Sequence, residues 1–331
     1  MASPNGSDWL YAFQDEDEWF LMHGQGLEKV VDSLPDPTNQ HPSTVLLLGR
    51  AAKEAARKAI FPHASANRSR GLARIRVDDS TTNHDEPLLV ADLDIRKAYS
   101  GYSPPRSLGG ELRHRVEWPS DRTHRSIVDS TVSNLLLLFV DVVCLFLDDF
   151  ATRETGSRLF QQWVEERHFA RPWSPRVIFV TSRERKATLP TFGEAQPVVA
   201  ALERKKFSHA LDYSGLRRII LENVEVAKES RKTSRMRFSA VHLRTLFEMG
   251  LQHIAKCLVP GFDFIQATRN HNKIDASFTQ HLQEFLQLCA ATNTGKEATV
   301  QIMASALLLD SLPPGMHRES LKPFQQPHTE R

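Results

Sequence analysis

Cysteine is scarce: the 331 residues hold three, Cys144, Cys257 and Cys289, far apart along the chain. No disulfide framework can be drawn from them, and they read as reduced core thiols of an intracellular, cytoplasmic protein. Close His/Cys clusters, a His-Glu-x-x-His motif and paired cysteines are all missing, so a zinc site has no support. A Gly-x-Ser-x-Gly elbow is missing too, which leaves serine-hydrolase chemistry without a place in the chain. Charge of one sign is not in excess either. Lysine plus arginine number 42 against 40 aspartate plus glutamate, so the overall balance predicts no nucleic-acid partner and no anionic membrane. The most apolar run, "NLLLLFVDVVCLFL" from Asn134 to Leu147, is shorter than the roughly 20 residues of a membrane span and is interrupted by Asp141. It splits into the end of a buried helix, Leu135 to Val140, and a buried strand. No transmembrane segment is expected, and "MASPNGSDWLYAFQDEDEWF" lacks the basic region and apolar core of a secretory signal.

What is present is an alternation of short apolar runs with longer amphipathic stretches, the pattern of a mostly parallel sheet covered by helices. Strands are expected at Thr44 to Leu48, Leu72 to Val77, Leu88 to Leu93, Val142 to Leu147, Val177 to Thr181 and Leu216 to Asn223. Helices are expected at Arg50 to Ile60, where alanine and lysine favour one, and at Glu154 to Phe169, with Leu159, Trp163 and Val164 on one face. The second and third strands lack a helix between them; "DDSTTNHDEP" reads as a polar turn joining an antiparallel pair. Strand, helix, hairpin, then repeated helix and strand is the element order of Ras-like GTPases. "YSGYSPPRSLGG" is too rich in proline and glycine for a helix and is expected as a long loop. The predicted fold is therefore an α/β three-layer domain of P-loop, GTPase-like topology over residues 41–227. An acidic, Trp-bearing extension (1–40) precedes it and packs on the rest. A helical domain (228–317) and a polar tail (318–331) follow, with the basic run "KESRKTSRMR" as a solvated linker or helix surface and Asn293 to Gly295 separating the last two helices.

The strand-to-helix turn at Gly49 poses the functional question. A Gly-x4-Gly-Lys-Ser/Thr loop needs its second glycine for close approach, its lysine for the terminal phosphates and its hydroxyl for magnesium. Glu54, Ala55 and Ala56 occupy those positions here. The carboxylate would repel phosphates, and Lys53 stands two places early, about 200° round the helix from the required position. Other nucleotide signals are weakened alike. Asp92 ends "VADLDI" where a GTPase has its Asp-x-x-Gly aspartate, but Ile95 replaces the glycine. Thr181, Ser182 and Glu184 of "FVTSRE" stand for the Asn, Lys and Asp of a guanine reader, with Glu184 able in principle to accept from guanine. An atypical GTP or ATP site with magnesium, using Gly49, Lys53, Asp92 and Glu184, is one alternative. A second is a magnesium-dependent phosphatase with Asp92 and Asp94 as nucleophile and acid, although its hydroxyl strand would come in the wrong chain order and Arg96 replaces a small residue. The histidines of the helical part, His242, His253, His271 and His281, are expected to be satisfied or exposed rather than ligands.

The blocks "STVLLLGRAAKEAARKAIF", "PLLVADLDI", "DVVCLFLDDFATRETGSRLFQQWV", "PRVIFVTSRE" and the later helical segments resemble, over roughly residues 40 to 317, the N-terminal region of large fungal patatin-like (FabD/lysophospholipase-like) proteins. There a degenerate P-loop-like domain and a helical segment precede an acyl hydrolase with a serine-aspartate dyad. The resemblance implies the front part only. The glycine-rich oxyanion loop, serine elbow and Asp-Gly pair have no matching positions, so no catalytic residue carries over, and the ending "KPFQQPHTER" suggests a form that stops before the catalytic part. The expectation is a non-catalytic regulatory or interaction module with no cofactor, whose partner is another protein or a downstream catalytic domain.

Overall fold

The computed structural model describes residues 8–62, 71–100, 113–118, 123–166, 175–182, 198–203, 212–234, 236–264, 266–267 and 277–310. The chain divides into two compact units, Met1–Phe262 and Asp263–Arg331. The first is α/β. Its strands are β1 (Asp8–Asp15), β2 (Glu18–His23), β3 (Ser43–Gly49), β4 (Ala73–Val77), β5 (Leu88–Asp94), β6 (Arg113–Arg115), β7 (Val142–Phe146), β8 (Arg176–Ser182) and β9 (Val198–Leu202). Its helices are α1 (Gly26–Ser33), α2 (Ala51–Ile60), α3 (Ile95–Ser100), α4 (His124–Asn134), α5 (Arg153–Glu165), α6 (Leu216–Thr233) and α7 (Ala240–Lys256).

The nine strands among the described residues join one sheet in the order β6-β2-β1-β4-β5-β3-β7-β8-β9. From β5 through β3, β7 and β8 to β9 every pairing is parallel; from β5 outward through β4, β1, β2 and β6 every pairing is antiparallel. The expected β4–β5 hairpin is present, with a 3-10 turn at Asp79–Thr81. Central β3, "STVLLLG", is apolar on both faces because both are covered, as parallel strands require. Val45 and Leu47 pack with Ala56 and Ile60 of α2 and with Leu216, Ile220 and Val224 of α6, while Leu46 and Leu48 are equally buried on the opposite face. Asp141, the charge that splits the apolar run, is buried at the start of β7. It accepts from the Thr44 amide at 2.8 Å and pairs with Arg231 of α6 at 3.0 Å.

Three expectations are corrected. Leu216 to Asn223 is not a strand but the first two turns of α6: Leu216, Ile220, Val224 and Ala227 form one buried stripe, and a short apolar run does not separate strand from helix by itself. The sixth core strand is β9, "VVAAL", whose Ala200 and Leu202 enter the core. Residues 8–33 are more than an extension packed on a domain, because β1 and β2 form a hairpin through Glu16 and Asp17, both at positive φ, and carry the sheet beyond β4. Finally, α7 belongs to the first unit rather than to a helical domain beginning at 228. Phe247 of α7 meets Trp9 of β1 at 4.8 Å and Phe139 at 5.3 Å between ring centroids, and the Trp118 indole donates to the Ile254 carbonyl at 2.6 Å. The basic run ahead of α7 is only partly solvated, since Arg231 is buried on Asp141 and Arg237 pairs with Glu86.

The second unit holds α8 (Phe278–Ala291) and α9 (Lys296–Asp310), separated by a turn in which Asn293 takes positive φ. Among the described residues no helix is long and apolar enough to cross a membrane. The three cysteines are free, with Cys144 and Cys289 buried. Of the loop expected from Tyr99 to Gly110, Tyr99 and Ser100 are instead the last residues of α3, and the rest lies outside the described residues, as does the polar tail.

Candidate functional site at the carboxyl ends of the parallel strands

Open α/β sheets bind ligands outside the carboxyl ends of their strands, and the nominated residues gather there. Gly49 ends β3 at φ +155, a conformation open to glycine, and the chain turns at once into α2. No side chain of its own caps that helix, so its first amides form the anion-holding turn of a helix N-terminus. Asp149, just beyond β7, fills it. Its Oδ1 accepts from the Ala52 amide at 2.7 Å and its Oδ2 from the amides of Lys53, at 3.0 Å, and Arg50. A Cβ on Gly49 would lie 2.5 Å from Asp149 Oδ2 and 3.0 Å from the Phe146 Cβ. Glycine is therefore needed here for the close approach of a carboxylate that the protein itself supplies.

Lys53 turns away from that position. Its Nζ donates to Asp92 Oδ1 at 3.0 Å, both side chains only 3% exposed. Arg74 donates to the same oxygen at 2.8 Å, and Arg76 stands 3.7 Å from Oδ2. Burial pushes the Asp92 carboxyl up, but Lys53 and Arg74 outweigh it and hold the group below the usual carboxylate range. Glu54, in the position of the second loop glycine, bonds Arg57 Nε at 3.0 Å and Nη2 at 2.7 Å. Asp94 caps α3, accepting from the amides of Arg96 at 3.1 Å and Lys97 at 3.2 Å. Asp148 accepts from the Ser182 amide at 2.8 Å and from Arg153 at 3.0 Å. Burial would raise its carboxyl, and those two donors bring it below the ordinary value. Tyr213 closes over the turn, its hydroxyl donating to the Ala52 carbonyl at 3.2 Å. Burial and the charges of Asp149 and Asp148 raise its phenol.

Of the nominated residues, Gly49, Lys53, Asp92 and Asp94 are brought to one end of the sheet, while Glu184 lies outside the described residues. Lys53 and Asp92 serve each other. The sequence pattern missed Asp149 as the occupant of the turn, although "LFLDDF" puts two carboxylates just past a buried strand beside β3. It also missed Arg74 and Arg76, whose alternation in "ARIRV" places two cations on one face of β4, Arg74 in register with Asp92 and Arg76 with Val90. His242 bonds Ser239 and His253 bonds the Pro260 carbonyl, each at 2.8 Å, and His281 is exposed; His271 lies outside the described residues. Among the described residues no group of three or more His, Cys, Asp or Glu is placed to hold a metal ion. No protein-family model matches the chain, and no curated protein is found similar to it.

Proposed function

We propose that this chain is a non-catalytic regulatory or interaction module built on a GTPase-like α/β fold, whose phosphate-holding turn is occupied by its own side chain. The observation that carries this is the Asp149 carboxylate on the amides of Arg50, Ala52 and Lys53. A triphosphate entering that turn must displace a carboxylate already matched to three donors, and it meets no free lysine, because Lys53 is committed to Asp92. The element order supports the GTPase-like description: strand, helix, antiparallel hairpin, then helix and strand in alternation. A buried, doubly paired Asp92 is a poor phosphoryl-accepting nucleophile, since its lone pairs face Lys53 and the two arginines. The module would act through a protein partner or a linked catalytic domain, as the resemblance to the front part of fungal patatin-like proteins implies.

Calorimetric titration with Mg-GTP and Mg-ATP tests this. The expected result is no magnesium-dependent binding by the unsubstituted protein. Saturable binding that requires magnesium sinks the proposal, because it would put a nucleotide in the turn.

A further inference from the structure

The antiparallel half of the sheet joins the rest at a narrow seam. β1 pairs with β2 at six successive positions, Leu10 to Asp15, and β4 with β5 at five. β1 meets β4 at only two, Asp8 with Arg74 and Leu10 with Ala73, and the register shifts between them. Beyond that seam the ribbon of β1, β2 and β6 has a small apolar cluster of its own, in which Tyr11, Phe13, Met22 and Phe20 pack apart from the core around β3. Phe247 of α7 rivets this ribbon to the body of the unit. Its ring lies 5.3 Å from that of Phe139 in the body, and 4.8 and 5.4 Å from those of Trp9 and His23 in the ribbon. The β6 end has a further tie, because the Glu117 amide and the Trp118 indole donate to the Ala255 and Ile254 carbonyls of α7 at 2.8 and 2.6 Å.

The rivet has little polar support. Trp9 Nε1 and His23 Nε2 are both buried without a hydrogen-bond partner among the described residues, and each unmet polar atom subtracts from what the ring packing contributes. The charged groups around His23 oppose a proton on it: Arg244 of α7 and His114 of β6 are its nearest electrostatic neighbours. Asp32 of α1 is engaged by Arg244 at 3.3 Å, and Asp8 of β1 accepts from the Tyr11 hydroxyl at 2.8 Å. Glu248 of α7 acts on His114, where Lys256 works against it. We propose that the ribbon of β1, β2 and β6 is an acid-released flap with His23 as its latch. A proton on His23 adds a second cation beside Arg244 within the aromatic contact, loosens Phe247 from the ribbon and opens the β1–β4 seam, while the parallel half stays folded. The latch is shut above pH 6.5, where His23 is neutral in either state. It weakens as pH falls from there towards about 4, because the opened flap takes up the proton first. Between about pH 8 and about pH 5 this linkage shifts the balance towards the open flap about 30-fold.

Hydrogen exchange of the full chain at the two pH values, corrected for the intrinsic pH dependence of amide exchange, tests this. The amides of β1 and β2, and that of Leu72, which donates to the Leu10 carbonyl across the seam at 2.7 Å, should lose about 30-fold in protection at the lower pH. A hairpin detached from its sheet is at best marginally stable in water, so the whole ribbon should report. The amides of β3 and β5 should keep their protection and serve as the internal reference. His23→Leu should abolish the acid-induced loss. Arg244→Met, at a half-exposed position where the fold tolerates change, should shrink it by removing a charge that keeps the proton off His23. Equal losses in the ribbon and in β3 and β5 would mean that only global unfolding answers to pH, and would overturn the flap. Unchanged protection of the ribbon in acid, or the same loss in both variants as in the parent, would overturn the latch.

Discussion

Two ionisable groups, one in each half of the sheet, sit beside cations and answer in opposite ways. Asp92 at the end of β5 faces Lys53, Arg74 and Arg76 and stays charged, because attraction to them exceeds the penalty of burial. His23 at the end of β2 is largely buried against the Phe247 ring, 5.4 Å between centroids. Burial, with Arg244 and His114 nearby, drives its pKa down to about 4, and its Nε2 has no hydrogen-bond partner among the described residues. Positive neighbours thus keep an acid ionised in spite of its burial, while burial, with positive neighbours adding to it, keeps a base neutral. In the parallel half charge is organised around the site; in the antiparallel half charge is kept out of an aromatic contact between β2 and α7.

The largest effect expected from breaking this contrast comes from Asp92→Asn. It strands Lys53 and Arg74 without their shared counter-ion, and one-sided disruption of a buried pair costs about 3–5 kcal/mol. Urea denaturation should show a midpoint lowered accordingly. Adding Lys53→Met should recover part of the loss by removing one stranded cation, a coupling that a double-mutant cycle reads directly. If Asp92→Asn is as stable as the parent, the cationic group is not held together by that carboxylate.

The second effect is a pH dependence with two stages. A neutral His23 in the fold and a histidine of pKa 6.5 in the unfolded chain mean that the unfolded state takes up the proton first. Stability is complete above 6.5 and falls as pH drops from 6.5 to about 4, by about 3 kcal/mol for this shift. His114 and His124, also lowered by burial, add in the same direction. Asp92 acts later: its contribution is present above the ordinary carboxylate value of 3.8 and is lost only as pH falls through its lower folded value. His23→Leu should flatten most of the slope between pH 6.5 and 4 and leave the more acidic loss in place. Trp9, tilted against the same Phe247, offers a fluorescence readout. An unchanged slope in the variant would remove His23 from the account.

Much of this arrangement was legible in the chain. Strand periodicity located β3, β4, β5, β7 and β8, since each is a run of apolar or alternating residues bounded by turn residues. Gly49, Lys53 and Asp92 were nominated together because a glycine after a buried strand and a carboxylate ending its neighbour are local signals. Asp149 was not, because its role depends on β7 lying next to β3, a pairing that no local pattern records. The N-terminal hairpin was missed for a related reason. Its first strand carries Trp9, Leu10, Tyr11, Ala12 and Phe13 without polar alternation, as both faces are buried, so the period-2 signal is lost. The place of Arg74 beside Asp92 also depends on register, because the two face each other only once β4 and β5 are paired.

The smallest effect separates a carboxylate held by backbone amides from one held by side-chain cations. Asp149→Ala removes the cap from α2 and should cost about 1–2 kcal/mol, the range of a lost N-cap, well below the Asp92 loss because no buried cation is stranded. Gly49→Ala should reach a similar state by another route. Its methyl would sit 2.5 Å from Asp149 Oδ2, on a backbone whose φ of +155 strains any side chain, so the carboxylate must leave the turn. Once it has left, removing it costs little more. The double variant should therefore be less destabilised than the two single losses combined, with a coupling of about 1 kcal/mol. Strict additivity in urea melts of the four proteins would mean that the glycine and the carboxylate do not share the turn.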